Sequence, residues 1–109
     1  MGMNYKAEYT QIAKSDLKEI LDYIKFELMN PKAAFDFASK VFDCVDMACE
    51  NPNIYQMVDN DLITDERVRR IVVDNYVVFF RIDNEILTVL RLLYARRNVS
   101  EIMNETIKN

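Results

Sequence analysis

The sequence has no histidine, no tryptophan, one glycine and two prolines among its 109 residues. Without histidine it lacks the general base of Ser-His and Cys-His catalysis and the commonest metal ligand in proteins. Its single glycine, Gly2, lies at the start of the chain, so no glycine-rich loop is present to hold a phosphate or to open a dinucleotide-binding fold. These absences exclude most familiar classes of enzyme site.

The cysteines and the hydropathy pattern indicate a reducing compartment. Cys44 and Cys49 lie five positions apart in a stretch with helical periodicity, where their side chains leave in different directions and cannot form a disulfide with each other. We therefore expect two small apolar side chains, with no metal and no cofactor. The sequence has no apolar run near 18 residues, so we expect a cytoplasmic protein that does not bind a membrane.

Charge is distributed unevenly along the chain, although the net charge is only −4. Residues 1–66 contain six lysines, no arginine and thirteen acids, whereas residues 67–109 contain seven arginines and one lysine against five acids. Arginine makes bidentate contacts with carboxylates and phosphates, so the second half predicts a surface that meets an anionic partner. The alternative is that some of these arginines cover apolar strand surface with their stems.

The first half predicts one strand followed by a helical hairpin. Apolar and charged residues alternate over 5–9, which is the period of a strand with one exposed face. Thr10 then precedes apolar residues at spacings of three and four, the pattern of a capped amphipathic helix. Asn30 and Pro31 supply a cap and a first-turn proline for a second helix, which ends at Asn51. Because few residues separate the two helices, we expect them to pack antiparallel.

The second half predicts a three-stranded meander and a final helix. Residues 53–66 form a polar loop that is expected to be mobile at 59–61. Apolar and β-branched residues mark strands over 68–73, 76–82 and 86–94, joined by Asp and Asn residues that tolerate left-handed turns. A last helix begins at Asn98, and its packing stays open. The predicted fold is a single α+β domain over 3–109, a helical hairpin packed on a small antiparallel β-sheet in the order β-α-α-β-β-β-α.

An ordered set of segments resembles a known protein family. The set consists of YKAEY at 5–9, A-x-x-D-L-x-x-I-x-x-Y-I at 13–24, the NP break at 30–31, VRRIVVDNYVVFFRI at 68–82 and VLRLLYARRN at 89–98. Together these segments resemble the RelE/ParE superfamily of toxins from bacterial toxin–antitoxin operons, over residues 5–103. The resemblance implies a small cytoplasmic toxin of a type II (plasmid stabilisation) system that is neutralised by a cognate antitoxin.

The resemblance favours the ParE-like branch, whose members block DNA gyrase without known catalysis of their own. RelE-like members instead cut mRNA on the ribosome with basic residues and a C-terminal tyrosine. Val77 stands where those nucleases carry an arginine, and Met103 stands where they carry the tyrosine. The alternative is a ribosome-dependent, metal-independent mRNA endoribonuclease with a degenerate site, in which Arg97 keeps the position of the catalytic, phosphate-stabilising arginine. A decayed toxin that only binds its antitoxin is a third alternative, so whether the chain is an enzyme stays open.

Six arginines are the candidate target-binding residues, and each group has an alternative structural role. Arg96 and Arg97 follow the last strand and could instead pair with Glu101 or the neighbouring helix. Arg69 and Arg70, in the second strand, could instead protect a sheet edge. Arg81 and Arg91, inside the third and fourth strands, could instead form ion pairs on the open sheet face. The set is Arg69, Arg70, Arg81, Arg91, Arg96 and Arg97.

Aromatic residues of the two predicted helices are expected in the core or on helix faces. An antitoxin could use some of that surface as an apolar groove. The residues concerned are Tyr23, Phe35, Phe37 and Phe42.

Overall fold

The computed structural model describes residues 5–54 and 67–108 as a four-stranded sheet with helices on both faces. The elements in chain order are β1 (Lys6–Tyr9), α1 (Gln11–Asp22), α2 (Pro31–Glu50), β2 (Val68–Val73), β3 (Tyr76–Asp83), β4 (Ile86–Tyr94) and α3 (Val99–Lys108). A π-helical turn, Tyr23–Glu27, extends α1, and a 3-10 turn, Pro52–Ile54, follows α2. The α+β class and the element order are confirmed. The predicted loop at 53–66, including its mobile tip at 59–61, lies outside the described residues beyond position 54.

Capping residues set where the two helices of the hairpin begin. Thr10 Oγ1 accepts a hydrogen bond from the Ala13 N–H, and Asn30 Oδ1 accepts one from the Ala33 N–H, each at 3.0 Å. Pro31 occupies the first turn of α2, where a backbone N–H would have no helical partner. The predicted starts of both helices are therefore confirmed.

Thr10 also joins α1 to β4, because its hydroxyl donates a hydrogen bond to the Leu90 carbonyl at 3.0 Å. We expect Thr10→Ala to lower the free energy of unfolding by about 1–2 kcal/mol, since the helix cap and this interelement bond are lost together. Thr10→Ser keeps the hydroxyl and is the matched control, expected to change the free energy of unfolding by less than about 0.5 kcal/mol. Urea denaturation measures both variants, and an unchanged alanine variant would contradict this role for Thr10.

The sheet order is β1-β4-β3-β2, and the last three strands form the predicted antiparallel meander. Its two turns begin at Asp74 and Asn84, which have φ of 54° and 57°, the left-handed conformation that these residue types tolerate. β1 pairs in parallel with β4, so the sheet is mixed and not wholly antiparallel as expected. The reason is that the long crossover through both helices lets β1 and β2 run in the same direction at opposite edges.

A bulge in β4 changes the sheet face to which the following side chains point. The register between β3 and β4 shifts next to Phe79, which leaves Leu90 as an extra residue in β4. Regular alternation would point Leu90 and Leu92 to the same face. Instead Leu92 packs against the helical hairpin, whereas Leu90 packs under α3.

The last helix, α3, covers the sheet face opposite the hairpin. Met103 is fully buried and packs in a cluster with Val68, Val77, Phe79, Leu90 and Leu93. The sheet is therefore a middle layer, and β3 is covered on both faces, as its continuous apolar run predicts.

The two cysteines are free thiols, with Cys44 partly buried and Cys49 buried. Burial raises the pKa of both thiols, and the carboxylates of Asp43 and Asp46 raise the pKa of Cys44 and Cys49 further. Cys49 belongs to the core cluster between the hairpin and the sheet, and Cys44 packs against that cluster. In the described part of the chain no helix is both long and apolar enough to cross a bilayer.

Candidate functional site

The turn between β4 and α3 presents two adjacent, exposed arginines, Arg96 and Arg97. The Arg97 N–H donates a hydrogen bond to the Tyr94 carbonyl at 3.0 Å, which fixes the backbone of the turn. Glu101 does not pair with either arginine and instead accepts a hydrogen bond from the Asn98 side-chain amide at 2.6 Å. Within residues 5–54 and 67–108, neither guanidinium has an ion-pair partner, so both are available to another molecule.

A groove of about 640 Å³ lies beside this turn. Tyr94 lies two residues before Arg96 and lines the groove. Asn75 also lines it, and its carbonyl accepts a hydrogen bond from the Ala95 N–H at 2.9 Å. The rest of the lining comes from the hairpin and from the β2–β3 turn: Tyr23, Ile24, Leu28, Ala33, Phe37, Asp74 and Tyr76. The turn with its two cations therefore adjoins a largely apolar, aromatic groove.

Tyr76 is the centre of a row of aromatic rings in this groove. Its ring centroid lies 5.1 Å from that of Phe37 and 5.6 Å from that of Tyr94, both in edge-to-face geometry. Burial raises the pKa of the Tyr76 hydroxyl, and the neighbouring Tyr23 and Tyr94 add to the shift. The raised pKa disfavours the ionised phenolate, the form that acts as a general base.

The arginines of β2 and β3 lie elsewhere on the sheet. β2 is an edge strand, and strand alternation points Arg69 and Arg70 to opposite faces. Arg69 borders a cavity of about 250 Å³, and Arg70 is exposed. Arg81 Nε lies 2.8 Å from one oxygen of Asp83, whose other oxygen lies 2.6 Å from Arg67 Nη1. Arg81 is thus partly neutralised, and the alternative that the β2 arginines protect a sheet edge stays open.

Arg91 forms a buried, bidentate ion pair with Asp16 of α1. Its Nε and Nη2 donate to the two carboxylate oxygens at 2.7 and 2.9 Å, and the side chains of Arg91 and Asp16 are only 12 % and 8 % exposed. The Leu92 N–H donates to the same carboxylate at 3.0 Å, and Arg91 Nη1 donates to Thr106 Oγ1 of α3 at 3.1 Å. This pair connects α1, β4 and α3, so Arg91 is paired, but in a buried position between helices and not on an open sheet face as expected.

The six candidate arginines therefore do not form one surface. The structure brings Arg96 and Arg97 together at one turn, separates the two arginines of the edge strand, and gives Arg81 and Arg91 carboxylate partners. Arg96 and Arg97 are the centre of the candidate site.

Tyr94 and Asn75 belong to this site although the sequence did not single them out. Tyr94 ends β4 and is paired in register with Tyr76, the first residue after the Asp74-Asn75 turn. An aromatic residue two positions before the two arginines is the sequence signal that could have identified Tyr94. Asn75 could be assigned to this site only from the register between β3 and β4, which places the Asp74-Asn75 turn beside the end of β4.

Val77 and Met103, which stand at the positions of two nuclease residues in the RelE-like pattern, are core residues. Val77 is 9 % exposed and Met103 is fully buried, and both pack in the cluster under α3. Their apolar side chains neither carry charge nor transfer a proton. Both residues therefore contribute to the packing between the sheet and α3.

A protein-family model described as the ParE toxin of type II toxin-antitoxin system, parDE, matches residues 7–99. This range includes the helical hairpin, the sheet and the turn that carries Arg96 and Arg97. Comparison with curated proteins gives no match.

Two solved structures share the fold. One is a chain of the chromosomal ParDE toxin–antitoxin system from P. aeruginosa, with a TM-score of 0.69 and 18% identity over 85% of this chain and 98% of that chain. The other is a chain of the toxin–antitoxin complex RelBE2 from Mycobacterium tuberculosis, with a TM-score of 0.59 and 17% identity over 84% of this chain and 99% of that chain. Because the family model spans most of the sequence, the chain belongs to the ParE toxin family of type II toxin–antitoxin systems.

Proposed function

We propose that this toxin inhibits growth by binding DNA gyrase through the surface around Arg96 and Arg97, and that a cognate antitoxin neutralises it. The observation that carries the proposal is a pair of exposed arginines, without carboxylate partners in the described residues, in the turn that follows Tyr94, a residue lining the aromatic groove. Arginine and tyrosine are the residue types enriched at binding hot spots. Both comparison structures come from toxin–antitoxin complexes, which supports an antitoxin partner.

The side chains near the turn favour binding over catalysis. Cleavage of RNA by its own 2′-hydroxyl requires a group that takes the proton and a cation that stabilises the charged phosphorane. Arg97 supplies a cation, but Met103 is buried and apolar, and the raised pKa of Tyr76 disfavours its basic form.

The position of Tyr94 favours ribosome-dependent mRNA cleavage as a second candidate function. Tyr94 is 37 % exposed, lines the groove and lies two residues before Arg96. If the toxin is a nuclease, Tyr94→Phe removes the hydroxyl and abolishes mRNA cleavage. If it binds gyrase, Tyr94→Phe keeps the ring and should leave toxicity within about threefold, since the ring supplies most of the contact area.

Inducing the toxin alone in bacteria separates the two candidates. The rate of protein synthesis is followed in the first minutes, with DNA-damage signalling in the same culture. We expect translation to continue while the damage response rises and the cells become filamentous. An immediate fall in translation without DNA damage would contradict gyrase as the target and support the nuclease, and unchanged growth would contradict toxicity itself.

A further inference from the structure

The aromatic groove beside the β4–α3 turn has a chemistry of its own, apart from the two arginines. Four of its described lining residues are aromatic: Tyr23, Phe37, Tyr76 and Tyr94. Its volume of about 640 Å³ lies within the range of pockets that hold a ligand, roughly 300–1,000 Å³. The groove is therefore large enough to receive a side chain of another molecule.

The charge of the groove is opposite to that of the neighbouring turn. Among the described lining residues, Asp74 is the one charged side chain, and none is a lysine or an arginine. A phosphate or carboxylate that enters the groove would meet this carboxylate with no lining cation to balance it. The groove therefore selects against anions, including the phosphates of a nucleic acid, and favours a cation.

The aromatic rings are the second feature of a cation site. Ring faces carry negative charge, and a cation within about 6 Å of a ring centroid is attracted to them. The centroids of Phe37, Tyr76 and Tyr94 follow one another at 5.1 and 5.6 Å, so the rings are close enough to act on the same cation. Tyr23 and Tyr94 are 50 % and 37 % exposed, which leaves part of both side chains accessible to another molecule.

The π-helical turn at the end of α1 shapes one side of the groove. The Leu28 N–H donates a hydrogen bond to the carbonyl of Tyr23, five residues earlier, at 3.1 Å. Residues five apart point in different directions on an α-helix, whereas the wider turn lets Tyr23 and Leu28 both line the groove. Such turns are rare and often occur at functional sites, which supports a binding role for the groove.

Asp74 has the capacity to pair with an incoming cation. Its side chain is 49 % exposed, and Lys40 Nζ lies 3.1 Å from one of its oxygens. An exposed lysine–carboxylate pair is weak, and a carboxylate accepts about four hydrogen bonds. A second donor can therefore share this carboxylate with Lys40.

Arginine is the side chain that fits both features together. Its planar guanidinium stacks on aromatic faces and donates two parallel hydrogen bonds to a carboxylate. The lysine ammonium is a compact, strongly hydrated point charge without this planar fork. The rings and Asp74 thus favour an arginine over a lysine.

We propose that the aromatic groove binds an arginine side chain of the target protein, with its guanidinium against the tyrosine rings and paired with Asp74. This proposal rests on the proposed function, because it takes gyrase as the protein that supplies the arginine. Tyr94 lines the groove and lies two residues before Arg96, so a partner held by the two arginines also reaches the groove. The target surface then presents acidic groups to Arg96 and Arg97 and an arginine to the groove.

Small probes test the groove without any partner protein. The full-length toxin, labelled in its tyrosine rings, is titrated with N-acetyl-arginine N-methylamide and followed by NMR. The citrulline analogue of this probe has nearly the same shape without the charge and is the matched control. We expect saturable shifts of the Tyr23, Tyr76 and Tyr94 signals with the arginine probe and at least tenfold weaker binding of the citrulline probe. Equal binding of the two probes, no saturable shift, or tighter binding of uridine monophosphate would overturn the proposal.

Asp74→Asn separates the charge of the groove from its shape. Asparagine tolerates the φ of 54° at this position, so the turn should keep its conformation. We expect the arginine probe to bind at least fivefold more weakly and the citrulline probe to change less than twofold. Asp36→Asn is the matched control, because Asp36 is 50 % exposed and pairs with Lys32 at 3.0 Å but does not line the groove. Equal losses in the two variants would overturn the pairing with Asp74.

Affinity for purified gyrase tests whether gyrase supplies the arginine. Asp74→Asn and Tyr94→Leu should each bind at least tenfold more weakly than the unmodified toxin, whereas Asp36→Asn and Tyr94→Phe should stay within threefold. Circular dichroism and thermal unfolding check that each variant is folded. Unchanged gyrase binding by both groove variants would overturn this proposal and leave the proposed function intact. Failure of the unmodified toxin to bind gyrase would overturn the proposed function, and the probe titration would still decide whether the groove accepts an arginine.

Discussion

Replacing Asp16 by alanine is expected to lower the free energy of unfolding by about 3–5 kcal/mol, because it leaves a buried guanidinium without its counter-ion. Arg91 would lose two charged hydrogen bonds, and the Leu92 N–H would lose its acceptor. The same substitution releases the polar connection from α1 through β4 to Thr106 of α3. Equilibrium unfolding in urea, followed by circular dichroism, measures the change.

Two controls separate the buried pair from carboxylate loss in general. Asp22→Ala removes a carboxylate of the same helix that pairs with Lys18 at the surface, and we expect a change below about 1 kcal/mol. The double variant Asp16→Leu, Arg91→Met replaces the ion pair by apolar side chains and should recover most of the stability that Asp16→Ala loses. If Asp16→Ala is as stable as the wild type, the ion pair does not hold these elements together.

Replacing Arg96 and Arg97 together by alanine is expected to abolish toxicity and to weaken gyrase binding at least about 100-fold, since truncating one partner of a hydrogen-bonded charge pair that an interface buries costs about 2–5 kcal/mol. Both side chains are exposed, and neither has a carboxylate partner in the described residues, so the fold should be unaffected.

The matched control for this pair is Lys6→Ala with Lys32→Ala, which removes the same amount of charge from exposed positions. Full toxicity in the arginine variant would contradict a role for the β4–α3 turn in target binding. Equal loss of toxicity in both double variants would assign the effect to net charge.

Local sequence signals predicted most of the fold. Thr10 and Asn30 begin helices because their side chains accept hydrogen bonds from the first turn. Asp74 and Asn84 begin the two hairpin turns because they tolerate positive φ. These features depend on neighbours in the chain, so the order of the seven elements follows from them.

Features that depend on distant residues were not predictable. Asp16 and Arg91 form an ion pair although they are 75 positions apart in the chain. Each is a charged residue that interrupts an apolar pattern, and this interruption is the sequence signal that could have indicated the pair. The parallel placement of β1 follows from the path of the crossover, and no local residue encodes it.

The candidate site was predicted only in part for the same reason. Arg96 and Arg97 are neighbours in sequence and stay together in the structure. The other four candidates were grouped by composition alone. Strand alternation points Arg69 and Arg70 to opposite faces, and Asp83 and Asp16 pair with Arg81 and Arg91.

The most direct test of the central claim is a gyrase cleavage assay with purified components. The toxin is incubated with gyrase, ATP and supercoiled plasmid, protein is removed by detergent and protease, and linear DNA is measured. In parallel, the same toxin preparation is added to ribosomes programmed with mRNA. We expect linear DNA to form with the toxin and not with the Arg96→Ala, Arg97→Ala variant. We expect the mRNA in the parallel ribosome assay to stay intact. Cleaved mRNA together with fully supercoiled, unbroken plasmid would contradict it.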